Sequence, residues 1–511
     1  MFWAPIPKAY GLTQVSLAGS MSGMTTVTRG LDLRIKPFLV SGGRRDRTGG
    51  GITHTGLNDV GLDLKYGVRS GLNLDVTLNT DFAQAEVDEQ QVNLTRFPLF
   101  FPEKRDFFLE NAGQFSVRNA GGGRLADLFF SRRIGLSDTG QPVPITGGAR
   151  LTGKLSRHNV AVLSVQTQEA FDRPGANFFV ARYSRDVLRR SKVGGLIVNK
   201  ETSGDPHHNR TLAVDTTLAV TRSVTINSFL AKTSTPGLVG ADMAFHGRGG
   251  WLDSRWNVYT EYTDIQGNFN PEVGFVPRRG IRTSKLHLER NPRPSKYKIR
   301  VMQPMLDFTF TTDQHNRLLT RRAHHMLGTR LENGTFINVI YNRYFERLDV
   351  PFRVQRNVTI PVGEYRFGQW QFTYRSDPSQ QVYTRVTYSP QTFFEGTRTD
   401  VNAAVGLRAT SQLAAELQYR RNDVDLPWGT FEVNLSILRF DLALSPQMTF
   451  RTLSQYNSST RQLTNSLRFN FIYRPGSDFY VTYDELKADF QGLPEVRNRQ
   501  LVAKMTYLLM R

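Results

Sequence analysis

The sequence predicts an all-β chain, a single large transmembrane antiparallel β-barrel of about 24 strands with a short, partly helical insert in its lumen. Three observations carry that reading. Apolar and polar residues alternate with period two along most of the 511 residues, giving each strand one apolar and one polar face. Gly 43, Tyr 18 and Phe 34 are the residues of turns, strands and aromatic girdles. No run of about 18 apolar residues occurs, so no helix of this chain is apolar enough to cross a membrane. That leaves a barrel open, because half of each of its strands faces the lumen.

The strands read off in order. Leu31, Leu33 and Ile35 alternate with Asp32, Arg34 and Lys36; Leu62, Leu64 and Tyr66 alternate with Asp63 and Lys65; Leu72, Leu74, Val76 and Leu78 alternate with Asn73, Asp75 and Thr77. Between them, residues 42–51 read as a long polar loop and residues 67–71 as a short turn, the habit of outer-membrane barrels. Later, Leu413, Ala415, Leu417 and Tyr419 oppose Glu416, Gln418 and Arg420, so the first set is expected against lipid and the second in the lumen. At roughly 20 residues per strand and connection the chain holds about two dozen strands. The last, with Leu501, Ala503, Met505, Tyr507 and Leu509 on one face, is expected to pair with the first and remove both sheet edges.

Alternation stops in residues 81–115. Asp81, Glu86, Asp88 and Glu89 suit the first turns of a short helix, read over residues 86–96. Pro102 then leads into a dense mixture of charge and phenylalanine. So many carboxylates must be solvated or paired. The expectation is an inward-folded plug or constriction, residues 81–125, with local partners Arg96, Lys104 and Arg105 and others on the barrel wall. Phe97, Phe100, Phe101, Phe107 and Phe108 are expected to form one small internal core.

The formal charge of +20 is scattered along the chain, which argues against nucleic acid and suits a basic lumen or strand ends at anionic headgroups. With no cysteine, disulfides and thiolate chemistry are excluded. The opening residues 1–7 lack the basic and apolar regions of a secretory signal, so export would place that signal outside this chain.

Residues 81–88, 93–97 and 100–110, together with residues 269–278 (Asn270, Pro271, Glu272, Gly274, Phe275 and Arg278 among them) and 473–478, resemble a known family. It is the outer-membrane β-barrel domain of unknown function that follows a family-nine carbohydrate-binding-like module in many Gram-negative bacteria. The resemblance runs along nearly the whole chain. It implies a bacterial outer-membrane location, one barrel over residues 1–511, and a preceding signal peptide and carbohydrate-binding-like module that this chain lacks. Members are often labelled hydrolases, a label no motif here supports.

No catalytic set, cofactor or metal site is expected. Asp205, His207 and His208 lie in a polar loop without a further ligand, and His324 and His325 point to opposite faces of a strand. Glu86, Asp88, Glu103 and Glu110 could supply the two carboxyls of a glycosidase, but Lys104 and Arg105 beside them would keep them ionised. The site residues expected to form the plug are therefore Asp81, Glu86, Asp88, Glu89, Asn93, Arg96, Glu103, Lys104, Arg105, Phe107, Phe108 and Glu110. The function expected is passage or export of an envelope substrate; the alternative is an outer-membrane carbohydrate-active enzyme or surface carbohydrate-binding protein with the barrel as scaffold. Expected partners are outer-membrane lipid, lipopolysaccharide and the barrel-assembly machinery, with carbohydrate reached through the preceding module.

Overall fold

A computed structural model of the chain describes residues 22, 32–48, 51–80, 87–117, 125–137, 142–170, 174–188, 190–294, 296–490 and 493–510. Twenty-four antiparallel strands, from Leu33–Thr48 to Leu493–Thr506, each pair with their sequence neighbours. The last strand pairs with the first from Phe38–Thr506 to Asp46–Asn498, and Leu509–Met510 adds two further pairs. Closure leaves no edge strand, so every strand carries its hydrogen bonds within the sheet, as a bilayer interior requires. Apart from the barrel sheet, Phe352–Gln355 and Val358–Ile360 form a small separate hairpin, packed against Leu94, Tyr365 and Val424.

Residues 42–51 are not the polar loop expected from the sequence. Pairing runs unbroken from Leu33–Tyr66 to Thr48–Gly51, leaving residues 49–50 as the connection. The strands continue past the apolar zone into water, where alternating hydrophobicity no longer marks them. Arg44 pairs there with Asp46 at 2.5 Å, and Asn498 donates to Asp46 at 2.6 Å.

The two rims differ. Connections 81–144, 266–280 and 349–362 all leave one rim, whereas the other has turns such as 70–71 and 475–476 and a longest link of 291–298. Long loops mark the extracellular rim and short turns the periplasmic one.

The outer face is apolar around the whole circumference. Leu39, Val60, Leu212, Val214, Leu327, Val405 and Leu501 are all exposed. Leu417 is 55% exposed while the adjacent Gln418 is 3% exposed, and Leu417 stands in register with Val405 and Leu438, which are also exposed. Such a continuous apolar belt is stable only against hydrocarbon. The chain is an outer-membrane β-barrel.

The inner face departs from the uniform polarity that alternation suggested. From Ile145 to Ile281 it carries an apolar patch, in which Leu163, Val165, Phe178, Val180, Leu196, Val198 and Phe229 are buried together with Phe108, Phe115, Leu128 and Ile134 of the connection 81–144, beside buried polar groups such as Arg182, Asn209 and His246. Strands there carry apolar residues on both faces, one meeting lipid and the other a protein core. The opposite side of the barrel keeps polar inward groups, among them Gln418, Gln455, Arg468 and Thr482.

The described residues of this connection hold little helix. Asp81 and Glu86 lie outside the described residues, and residues 87–104 contain no helical turn, so the helix expected over 86–96 is not formed in its described part. Among the described residues the helical pieces are Asp106–Leu109, Ala112–Gln114 and Ser131–Arg133. Asn93 Oδ1 accepts from Thr95 N at 3.0 Å and Thr95 Oγ1 at 2.7 Å, a local turn that competes with helix. Gln90 N donates to Gln455 Oε1 at 2.7 Å, drawing the backbone to the barrel instead of to its own turn.

Candidate functional site

Residues 87–137 touch inward-facing side chains on widely separated strands. Glu110 pairs with Lys65 on the second strand and, at 3.3 Å, with Arg150 on the fourth. Arg150 is 2% exposed; it also pairs with Asp75 at 2.8 Å and donates to the carbonyls of Phe107 and Glu110, a fully used guanidinium. Glu89 holds Arg420 at 2.7 Å and Arg439 at 2.6 Å, on the nineteenth and twentieth strands. Beside it, Gln455 Nε2 donates to Asp88 O at 3.2 Å. Arg96 Nε lies 2.9 Å from Glu346 on the fifteenth strand, and Asn93 donates to Phe97 O.

Other contacts join the segment to itself. Arg105 grips Glu103 through Nε at 2.8 Å and Nη2 at 2.7 Å, and donates to Ile134 O at 2.6 Å and Ser131 O at 2.9 Å. Ser131 Oγ donates to Glu103 at 2.8 Å, so one carboxylate ties two limbs of the connection together. Asp88 meets Arg132 and, at 3.4 Å, Lys104, which also donates to Val87 O. Burial pushes the Glu103 carboxyl up, but the hydrogen bonds and charge of Arg105 outweigh it and hold the group below the usual carboxylate range. At Glu110, partial burial is likewise overcome by Lys65 and Arg150.

The five phenylalanines do not form one core. Phe107 and Phe108 join the large apolar cluster, with Arg105 stacked 4.3 Å from the Phe108 ring centroid. Phe100 packs on Phe130 and Phe275 at 4.9 and 5.3 Å, Phe97 lies between Arg96 and Arg278, and Phe101 faces Arg132. Charge between the rings divides them: Phe97, Phe101, Phe107 and Phe108 each have a guanidinium over the ring, whereas Phe100 packs on other rings.

The second motif meets the first. Asp127 and Phe275 exchange backbone hydrogen bonds at 2.9 and 2.8 Å, and Phe130 N donates to Val273 O. A Cβ on Gly274 would stand 2.5 Å from Asp127 O, so glycine is needed for this approach. Gly274 N closes a turn on Pro271 O. Asn270 O accepts from Asn209 at 2.7 Å. Glu272 pairs with Lys200 at 2.7 Å and His207 at 2.9 Å, which outweigh burial and keep its carboxyl low. Arg278 donates to Thr320 at 2.9 Å; burial and the nearby Arg96 charge lower it to about 10. Among the described residues no group of three His, Asp or Glu side chains could hold a metal.

Two cavities flank the segment. One, about 1000 Å³, lies toward the long-loop rim against Arg132, Arg133, Lys200, Glu272 and Arg279. The other, about 830 Å³, lies toward the short-turn rim against Lys104, Arg408, Arg439, Arg451 and Arg468. Asp88 and Phe101 line both. The wall partners Arg150, Glu346, Arg439 and Gln455 were not singled out in the sequence; each is one polar residue in an ordinary alternating strand.

The geometry is that of a channel-like outer-membrane barrel. Residues 30–154 match a family model described as Domain of unknown function (DUF5916), which spans the first motif but not the second. Among solved structures the chain is similar to the siderophore receptor PirA from Acinetobacter baumannii, at 7% identity and TM-score 0.45, over 95% of this chain and 81% of that one. It is also similar to OpdQ from Pseudomonas aeruginosa, at 10% identity and TM-score 0.31, over 94% and 98%. For OpdK from Pseudomonas aeruginosa with vanillate the figures are 9% and 0.32, over 94% and 100%. No curated protein matches the chain.

Proposed function

We propose that this barrel is a passage for an envelope substrate, constricted by the insert 81–125 and gated by its part 81–115. The observation that carries the reading is the shared lining of Asp88 and Phe101: a thin layer of insert separates a cavity toward each rim. The layer is held by ion pairs instead of being buried on all sides, with Glu89 on Arg420 and Arg439 and Asp88 on Arg132 and Lys104. Salt-bridged, partly solvated anchors contribute little each, so release at one edge costs far less than unfolding the barrel. The apolar core around Phe108 and Ile134 fixes one edge and a second core, with Leu94 buried against Leu348, Val358 and Ile360, fixes residues 92–94, which leaves the stretch around Asp88 and Glu89 as the moving part.

Planar-bilayer conductance tests the reading. The intact barrel is expected to conduct weakly or stay closed, and deletion of residues 81–115 to give a larger, stable conductance in a barrel that still migrates as folded. Equal conductance with and without the segment would reject the gate.

A further inference from the structure

The outer surface carries a cationic cluster that the lumen reading does not use. On the neighbouring strands Leu318–Leu331, Phe336–Leu348 and Gly363–Arg375, Leu327, Ile337, Trp370 and Phe372 face outward and are exposed. Tyr341 and Trp370 pair across the sheet with ring centroids 4.7 Å apart, and such aromatics mark the membrane interface. Two residues nearer the long-loop rim, on the same face, stands Arg343. The next rung is Arg321, Phe345 and Arg366 in direct register. All three arginines are exposed. Phe345 between them is only 3% exposed, and the Arg366 guanidinium lies 5.3 Å from its ring centroid. On the outward positions of these rungs the acid is Glu364, and Arg347 already pairs with it.

We propose that Arg321, Arg343 and Arg366 form a docking site for the phosphate-bearing headgroup of an outer-leaflet glycolipid, that is, lipopolysaccharide. Outward guanidinium groups within hydrocarbon are costly, but just beyond the aromatic rung they stand at headgroup depth, where anionic lipid attracts them. Their forked donors match phosphate oxygens, and rigid strands with a packed ring beneath hold three of them on one patch. The opposite leaflet is excluded because the patch lies toward the long-loop rim. This inference goes beyond the gate and stands if the gate fails.

Titration of delipidated barrel with lipid A, followed by Trp fluorescence, tests the site in three arms: bisphosphorylated lipid A, dephosphorylated lipid A, and inorganic phosphate as competitor. Removing the phosphates, or introducing Arg321→Gln, Arg343→Gln and Arg366→Gln together, should weaken binding by on the order of tenfold to a hundredfold. The Arg210→Gln and Arg282→Gln pair, on outward positions elsewhere, should bind as wild type. If the triple variant does not fold, Arg321→Gln with Arg366→Gln gives the same comparison with a smaller loss. Unchanged affinity in the folded variant, indifference to the lipid phosphates, an equal loss in the control pair, or full displacement by millimolar phosphate would each overturn the proposal.

Discussion

Leu417 and Gln418 sit one peptide bond apart with hydrocarbon on one side and the lumen on the other. Leu417 has Val405 and Leu438 as its outward neighbours in register, so a charge there meets only apolar groups. Leu417→Arg should therefore cost about 2–4 kcal/mol if the site lies near the midplane, and less toward either interface. Reversible unfolding into lipid vesicles would measure it, and a cost near zero would mean that Leu417 does not contact hydrocarbon. Glycine works at the same scale in the opposite sense. At Gly274 the absence of a side chain lets the Phe275 backbone reach Asp127, which is why the motif around Asn270 and Glu272 contains glycine at that position.

At the scale of elements, strands were legible in the sequence and the insert's conformation was not. The alternation of residues 413–420 is the one the strand adopts, because lipid on one face and water or protein on the other impose period two. The polar run 42–51 misled because outside the bilayer a strand needs no apolar face. The acidic run 86–96 misled because Glu89 and Gln90 are satisfied by partners far away in sequence, which no local pattern reveals. The inner core could have been suspected from strands such as His158–Thr167, where inward Ala161, Leu163 and Val165 alternate with residues that include the apolar Val160 and Val162. The insert's anchoring also has a pH sign. Glu103 and Glu110 are both held below their ordinary values, so their contribution is complete above about pH 4.3, the unfolded carboxyl value, and is lost as pH falls through the folded values. Acidification below about pH 4 should loosen residues 87–137 while the strands persist. Limited acid proteolysis followed by mass mapping would show cuts in that segment first; cuts beginning in the strand hairpins would refute the order.

At the scale of the whole molecule, the +20 charge has to be placed, and its placement sets what the passage favours. Some arginines lie on the outer surface near the long-loop rim, as at Arg321 and Arg366, where they cannot act on an ion in the lumen. The cavity toward the short-turn rim, in contrast, is lined by Lys104, Arg408, Arg439, Arg451 and Arg468 against Asp88, Glu89 and Asp441. Of these acids, Asp88 and Glu89 are tied to Arg132, Arg420 and Arg439, so the field beyond them is positive. Basic linings favour anions in narrow pores, and the effect weakens with salt as the Debye length shrinks to about 10 Å at 0.1 M. An open form of this barrel should accordingly be anion-selective at low salt and lose selectivity as salt rises. Reversal potential across a potassium chloride gradient decides it. Cation selectivity would mean that Asp88 and Glu89, not the arginines around them, govern the narrowest point, and that the segment keeps its grip on charge even when the passage is open.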